Sequence, residues 1–143
     1  MRGFRDAEEF KQVFERLFGL MNEHPEVGRP LRDAHAPHRF VFTDLGLEFN
    51  VTAADDGDER QGRFLRWVWG PPPWEPVITM RMTSETANRF FQGKENVPLA
   101  IALGRVKLSG PIVTILRLAP VTNPIHPVYR DWLASSGLKH LLA

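Results

Sequence analysis

The residues of this 143-residue chain that could hold a metal or move a proton are five histidines and 17 carboxylates, and their spacing favours neither task. His35-Ala36-Pro37-His38 is the one close histidine pair, with Asp33 as its only nearby carboxylate. A closed metal site needs more ligands, and Pro37 discourages the helical spacing that would bring both rings to one ion. Asp55-Asp56-Gly57-Asp58-Glu59 invites a calcium reading. Its glycine comes too early for an EF-hand and no bidentate glutamate closes the loop, so a tight turn is expected instead. Ser84, Ser109, Ser135 and Ser136 lie in no Gly-x-Ser-x-Gly pattern, and no Gly-x-x-x-x-Gly-Lys loop occurs. The absence of cysteine excludes disulfides, thiolate nucleophiles and cysteine-ligated metals. His126 is the histidine best placed to act as a base beside an apolar pocket. The expectation is a protein that is not an enzyme, with no cofactor and no metal.

Eighteen basic residues nearly balance the acids, and no basic stripe marks a phosphate-binding surface, which argues against nucleic acid. Trp67 and Trp69, two apart and near Arg63 and Arg66, could stack bases. Without a basic groove, a sheet face covering a cavity is the better reading. The start of the chain, with Arg2, Arg5, Asp6, Glu8 and Glu9, has no apolar leader, and no stretch approaches the ~18 apolar residues of a membrane span. A soluble, cytoplasmic protein is expected. The length suits a single domain over 1–143, able to bury roughly 68–70% of its unfolded surface.

The elements follow from apolar spacing. Phe10, Val13, Phe14, Leu17, Phe18 and Met21 predict an amphipathic helix over 5–22, stopped by Pro25. The segment 23–37, with Pro25, Gly28, Pro30 and Pro37, reads as an irregular connection. Alternation predicts strands at about 39–43, 46–54, 62–69 and 76–82. A stiff proline-rich connector around Trp74 separates the last two.

Beyond Met82, glycines punctuate the chain. Thr83 or Ser84 can cap a helix over 84–92 that Gly93 ends in a left-handed turn, and Asn96 can cap a short helix over 97–103 ended by Gly104. Residues 105–110 alternate as a strand, Pro111 can open a helix over 111–118, and a last helix over 126–136 precedes a leucine-rich tail. Helices with one broad apolar face must lie on a sheet, giving a two-layer α+β domain.

This order resembles the sterol carrier protein type-2 family. The resemblance is carried by Ile78-Thr79-Met80 and Met82, Gly93-Lys94, Asn96, and Gly104-Arg105-Val106-Lys107-Leu108-Ser109-Gly110, with eleven residues from Met82 to Gly93, eleven more to Gly104 and six to Gly110. Arg105 stands where the family commonly has lysine, and Pro111 where an aspartate or asparagine often follows. The resemblance implies a five-stranded, mainly antiparallel sheet covered on one side by helices, with an apolar tunnel between them. Composition alone does not say that the space is hollow. With the resemblance, the expected tunnel lining is Met80, Met82, Phe90, Phe91, Ile101, Leu103, Leu108, Ile112, Ile115, Leu116 and Trp132.

The function so implied is non-catalytic binding, and transfer, of an apolar lipid: a fatty acyl chain, an acyl-CoA, an isoprenoid or a sterol-like molecule. Burying a tail of about 16 carbons would supply on the order of 10 kcal/mol gross, before ordering and association costs. Arg89, Lys94, Arg105 and Arg117 are candidates to meet an anionic head group. The implied partner is a hydrophobic small molecule, with transient membrane contact allowed and monomer and homodimer both open. An accessory or dimerisation domain serving a separate enzyme is the alternative, which an exposed Trp74 loop and a leucine-rich tail would fit. A small enzyme with a cone-shaped pocket is the third reading. The element order argues against it, because two helices and a short strand follow the fourth strand. Glutamate at Leu103 or Ile115 should abolish lipid uptake, and His126→Ala should leave it intact.

Overall fold

Asp6 opens the first helix, its carboxylate accepting the Glu9 backbone N–H at 2.8 Å. The computed structural model describes residues 3–54 and 64–143; the acidic Asp55 to Glu59 turn, like the first two residues of the predicted 62–69 strand, lies outside them. Helix α1 (Ala7–Glu23) buries Phe10, Val13, Phe14, Leu17, Phe18 and Met21, the face its spacing predicts.

The next segment corrects the sequence reading. Residues 25–33 form a helix, α2 (Pro25–Asp33), rather than an irregular connection. Pro25 sits in the first turn, where its missing N–H costs nothing, so the residue that stops α1 also starts α2. Gly28 lets α2 approach the sheet: a Cβ there would lie 2.6 Å from the Phe64 ring.

Five strands follow: β1 (His38–Phe42), β2 (Leu47–Ala53), β3 (Leu65–Trp69), β4 (Ile78–Met82) and, later in the chain, β5 (Lys107–Ser109). Their order in the sheet is β3-β2-β1-β4-β5. Three pairings are antiparallel, with Phe40 opposite Phe49, Val51 opposite Trp67, and Met80 opposite Leu108. β1 and β4 run parallel, with Phe40 beside Met80. The sheet is therefore open and mixed, its one parallel pair arising where the proline-rich connector carries the chain from the β3 edge back to β1. That connector lies against the outer face of the sheet. The Gly70 carbonyl accepts from Asn50 Nδ2 at 2.8 Å, and the Arg66 guanidinium lies over the Trp74 ring at 5.1 Å. Trp74 is thus half-buried, not the exposed loop tip the sequence suggests.

Strand alternation turns Phe40, Phe42, Phe49, Trp67 and Trp69 toward α1. Phe14 packs between Phe42 and Phe49 at centroid distances of 5.0 and 5.1 Å, and Phe18 meets Phe49 at 4.9 Å. Trp69 Nε1 donates to Glu15 at 2.8 Å. The two tryptophans are spent on the core, not held out to stack bases.

The second half of the molecule is built from shorter pieces. Helix α3 (Ser84–Phe91) is capped by Thr83 and tied to the β1–β2 turn by Asp44, which accepts both the Ser84 N–H and its hydroxyl. Helix α4 (Val97–Ala102) is capped by Asn96. The strand expected over 105–110 shrinks to Lys107–Ser109, because the Arg105 and Val106 N–H groups turn back to the Ala100 carbonyl and close α4. Helix α5 (Ile112–Leu118) has Pro111 as its extended N-cap residue rather than inside its first turn. A 3-10 turn (Ala119–Thr122), helix α6 (Ile125–Ser135) and a final 3-10 turn (Lys139–Leu141) complete the chain. Gly110 is required where it stands: its φ is +107°, and a Cβ would collide with the Val77 carbonyl oxygen.

The leucine-rich tail is tucked under its own chain. Leu141 is fully buried, and its carbonyl accepts from Asn88 Nδ2 and Gln92 Nε2 at 2.8 and 2.9 Å.

Candidate functional site

The sheet and the helices do not fill the space between them equally. Over Phe42 and Phe49 the rings of α1 close it. Toward β4 and β5 the cover consists of α4 and α5, helices of six and seven residues, too short to seal a sheet face. A cavity of about 100 Å³ remains there, room for several waters at roughly 10–15 Å³ each. Its wall is almost wholly apolar: Phe18 and Met21 from α1, Leu31 from α2, Phe40, Val51 and Leu65 from the first three strands, Met80 and Met82 from β4, and Leu108 from β5. Phe90 and Phe91, Val97, Val106, Ile115 and Leu118 close it on the helical side.

Of the residues expected to line a tunnel, Met80, Met82, Phe90, Phe91, Leu108 and Ile115 border this cavity. The structure does not bring the others to it. Ile101 packs against the core nearby, while Leu103, Ile112 and Leu116 stand exposed on α4 and α5. Trp132 stacks on Tyr129 at 6.4 Å and faces a separate, more polar groove with Arg5, Asp6, Glu8 and Glu9. For Leu103, Ile112 and Leu116 the reason is helix length. A helix of one and a half to two turns shows too few residues for apolar spacing to distinguish its inner from its outer face. His38, Val51 and Leu65 also line the wall, and alternation sets His38 on the side of Phe40 and Phe42. Phe18 and Met21, on the buried face of α1, border the cavity as well.

Few polar side chains reach the wall. Glu95 does; its side chain is 4% exposed and accepts from Arg105 Nη2 at 2.6 Å and Arg89 Nε at 3.3 Å. Two of the candidate head-group cations are therefore already engaged by a carboxylate, while Lys94 and Arg117 stay exposed. His38 also borders the cavity. Burial pushes its pKa below the ordinary value, partly opposed by a hydrogen bond to the Ala36 backbone. Thr52 and Thr122 add hydroxyls.

His126 lies away from the cavity wall, against Gly93, where a Cβ would come within 2.7 Å of its Nδ1. Its Nε2 is buried without a protein partner, and burial lowers its pKa. Among the described residues no group of three histidines and carboxylates could hold a metal ion, and no helix is long and apolar enough to cross a membrane.

No protein-family model matches this sequence, and no curated protein matches it significantly. Solved structures do. A UbiJ-SCP2 ubiquinone synthesis protein superposes with a TM-score of 0.59 at 9% identity, over 87% of this chain and 96% of its own. A sterol carrier protein domain from Helicoverpa armigera gives 0.56 at 13% identity, over 80% of this chain and 88% of its own. A two-layer domain with an open mixed sheet of this order and helices on one face is thus the sterol carrier protein 2 fold. A stereoselective inverting sec-alkylsulfatase from a Pseudomonas species gives 0.54 at 21% identity over 66% of this chain, which spans only 14% of that enzyme's length.

Proposed function

We propose that this protein binds the apolar chain of a lipid in the cavity between β4, β5 and the short helices, and hands it on without chemical change. The observation that carries this reading is the cavity itself: about 100 Å³ left open in an apolar wall, with flexible Met80 and Met82 at its floor. An empty apolar space forfeits contacts that a chain would restore, at about 0.8 kcal/mol per buried methylene. The likeness to sterol carrier protein 2 domains supports the same reading. Nothing in the wall demands a sterol. A fatty acyl or isoprenoid chain suits a narrow cavity whose polar rim is Glu95 bracketed by Arg89 and Arg105. We read the chain as a single cytoplasmic domain that needs no cofactor, with Met80, Met82, Phe90, Phe91, Leu108 and Ile115 contacting the ligand.

The test is native mass spectrometry of protein purified without detergent, with extraction and identification of what comes off. A co-purifying acyl or isoprenoid species near one per chain is the expected result. A clean apo mass, with no later uptake of a fluorescent fatty acid, would overturn it. The second reading, an accessory domain beside an enzyme, would then lead.

A further inference from the structure

From Asn96 to Arg130 the sequence contains no aspartate or glutamate, while it contains Arg105, Lys107, Arg117 and Arg130. The same stretch carries most of the large apolar side chains that the fold leaves outside. On α4 and at its C-cap, Leu99 and Leu103 are 47% and 62% exposed; on α5, Ile112, Val113 and Leu116 are 50%, 77% and 40% exposed. Both helices are two-sided. Val97, Ile115 and Leu118 line the cavity from within, while their neighbours face out.

We propose that the outer faces of α4 and α5, with Lys94 and Arg117 on or beside the same segment, dock on an anionic lipid bilayer, from which a lipid chain passes into the cavity behind. This rests on the lipid reading of the cavity. Three features select the bilayer as occupant. Apolar side chains on two short helices can enter the acyl boundary, and the cations without local carboxylates match anionic head groups. A second copy of the chain fits poorly, since a twofold interface would bring these cations together with no acid on the segment to meet them. Finally, the docked face is the other side of the cavity wall, so a lipid crossing between the helices avoids water. α5 suits this passage: it has seven residues, no side-chain cap at Pro111, and a length well below that of a stable isolated helix.

The experiment is cosedimentation of the full chain with phosphatidylcholine vesicles, with and without about one-third phosphatidylserine, at low and high salt. Binding to the anionic vesicles alone, weakened by salt and lowered at least tenfold by Lys94→Glu with Arg117→Glu, or by Val113→Asp, is expected. Val113 is so exposed that this change should leave the melting temperature and the uptake of a dispersed fluorescent fatty acid unaltered. Equal binding to neutral and anionic vesicles, or wild-type binding by these variants, would overturn the proposal. So would a dimer in sedimentation that Val113→Asp dissolves, with no vesicle binding, because the face would then belong to a second copy. Vesicle binding by a wild-type protein that takes up no fatty acid would uphold the docking face and sink the cavity reading.

Discussion

Arg105 donates to Glu95 across 2.6 Å at the edge of the cavity, and Arg89 reaches the other carboxylate oxygen at 3.3 Å. The pairing puts a near-buried acid where a lipid head group would otherwise meet two guanidiniums. It sets the polarity of the rim: one net positive charge, already committed.

Removing that acid should change which lipids bind. Glu95→Gln keeps the shape and frees both arginines, so affinity for a fatty acid anion should rise at least ~3-fold relative to the matching alcohol. Stability should fall by about 1–2 kcal/mol, since both partners are partly solvated. Paired titrations with acid and alcohol check it; an unchanged ratio would place the head group elsewhere.

Filling the cavity should block binding without unfolding the protein. Met80→Trp adds bulk opposite Leu108 in the cavity wall and should reduce fatty-acid uptake at least ~10-fold, at a stability cost of about 1–3 kcal/mol. Ile115→Glu, at a buried wall position, should also abolish uptake. The sequence gives Leu103→Glu the same effect, but on the exposed side of α4 it should leave uptake from dispersed ligand near wild type. Fluorescent fatty-acid titration distinguishes the two glutamates.

The tail should prove structural. Tyr129 donates its hydroxyl to Asn88 Oδ1 at 2.6 Å, and Asn88 in turn holds the Leu141 carbonyl. Tyr129→Phe leaves a buried acceptor unpaired and should cost about 1–3 kcal/mol. Leu141→Ala should cost about 2–5 kcal/mol, because Leu141 is fully enclosed. Chemical denaturation measures both, and a loss below about 0.5 kcal/mol for Leu141→Ala would mean the tail is undocked in solution.

Stability should fall in mild acid. Burial depresses the pKa values of both His38 and His126 below their ordinary 6.5. The unfolded chain therefore binds protons first as the pH drops, so their contribution is complete above pH 6.5 and is lost as the pH falls through the folded values. Melting temperature followed from about pH 8 to about pH 5 should decline, and His38→Leu should flatten the decline. Equal slopes in the two proteins would show His38 to be solvated.

How much of this was legible beforehand depended on element length. α1 spans 17 residues, long enough for its phenylalanines to declare one face, and strand alternation puts Met80, Met82 and Leu108 on the side that borders the cavity. The left-handed glycines at 93 and 104 and the caps Thr83 and Asn96 fixed the helix ends locally. α2 is not legible locally, because its two prolines and glycine spell a loop in isolation. In the fold it packs against Phe64, where Gly28 leaves room, with Pro25 opening its first turn.

Local sequence determined what local forces decide: the caps, the turns, the alternating strands, and the resemblance that implied this fold. Tertiary structure alone decided which sides of α4 and α5 face inward, that Glu95 would draw Arg89 and Arg105 to the rim, and that Leu141 would be enclosed. Each of these joins residues on separate elements. Whether a space stays hollow depends on the volume the opposite layer supplies, and apolar periodicity records that a side chain is buried without recording whether anything fills the space before it.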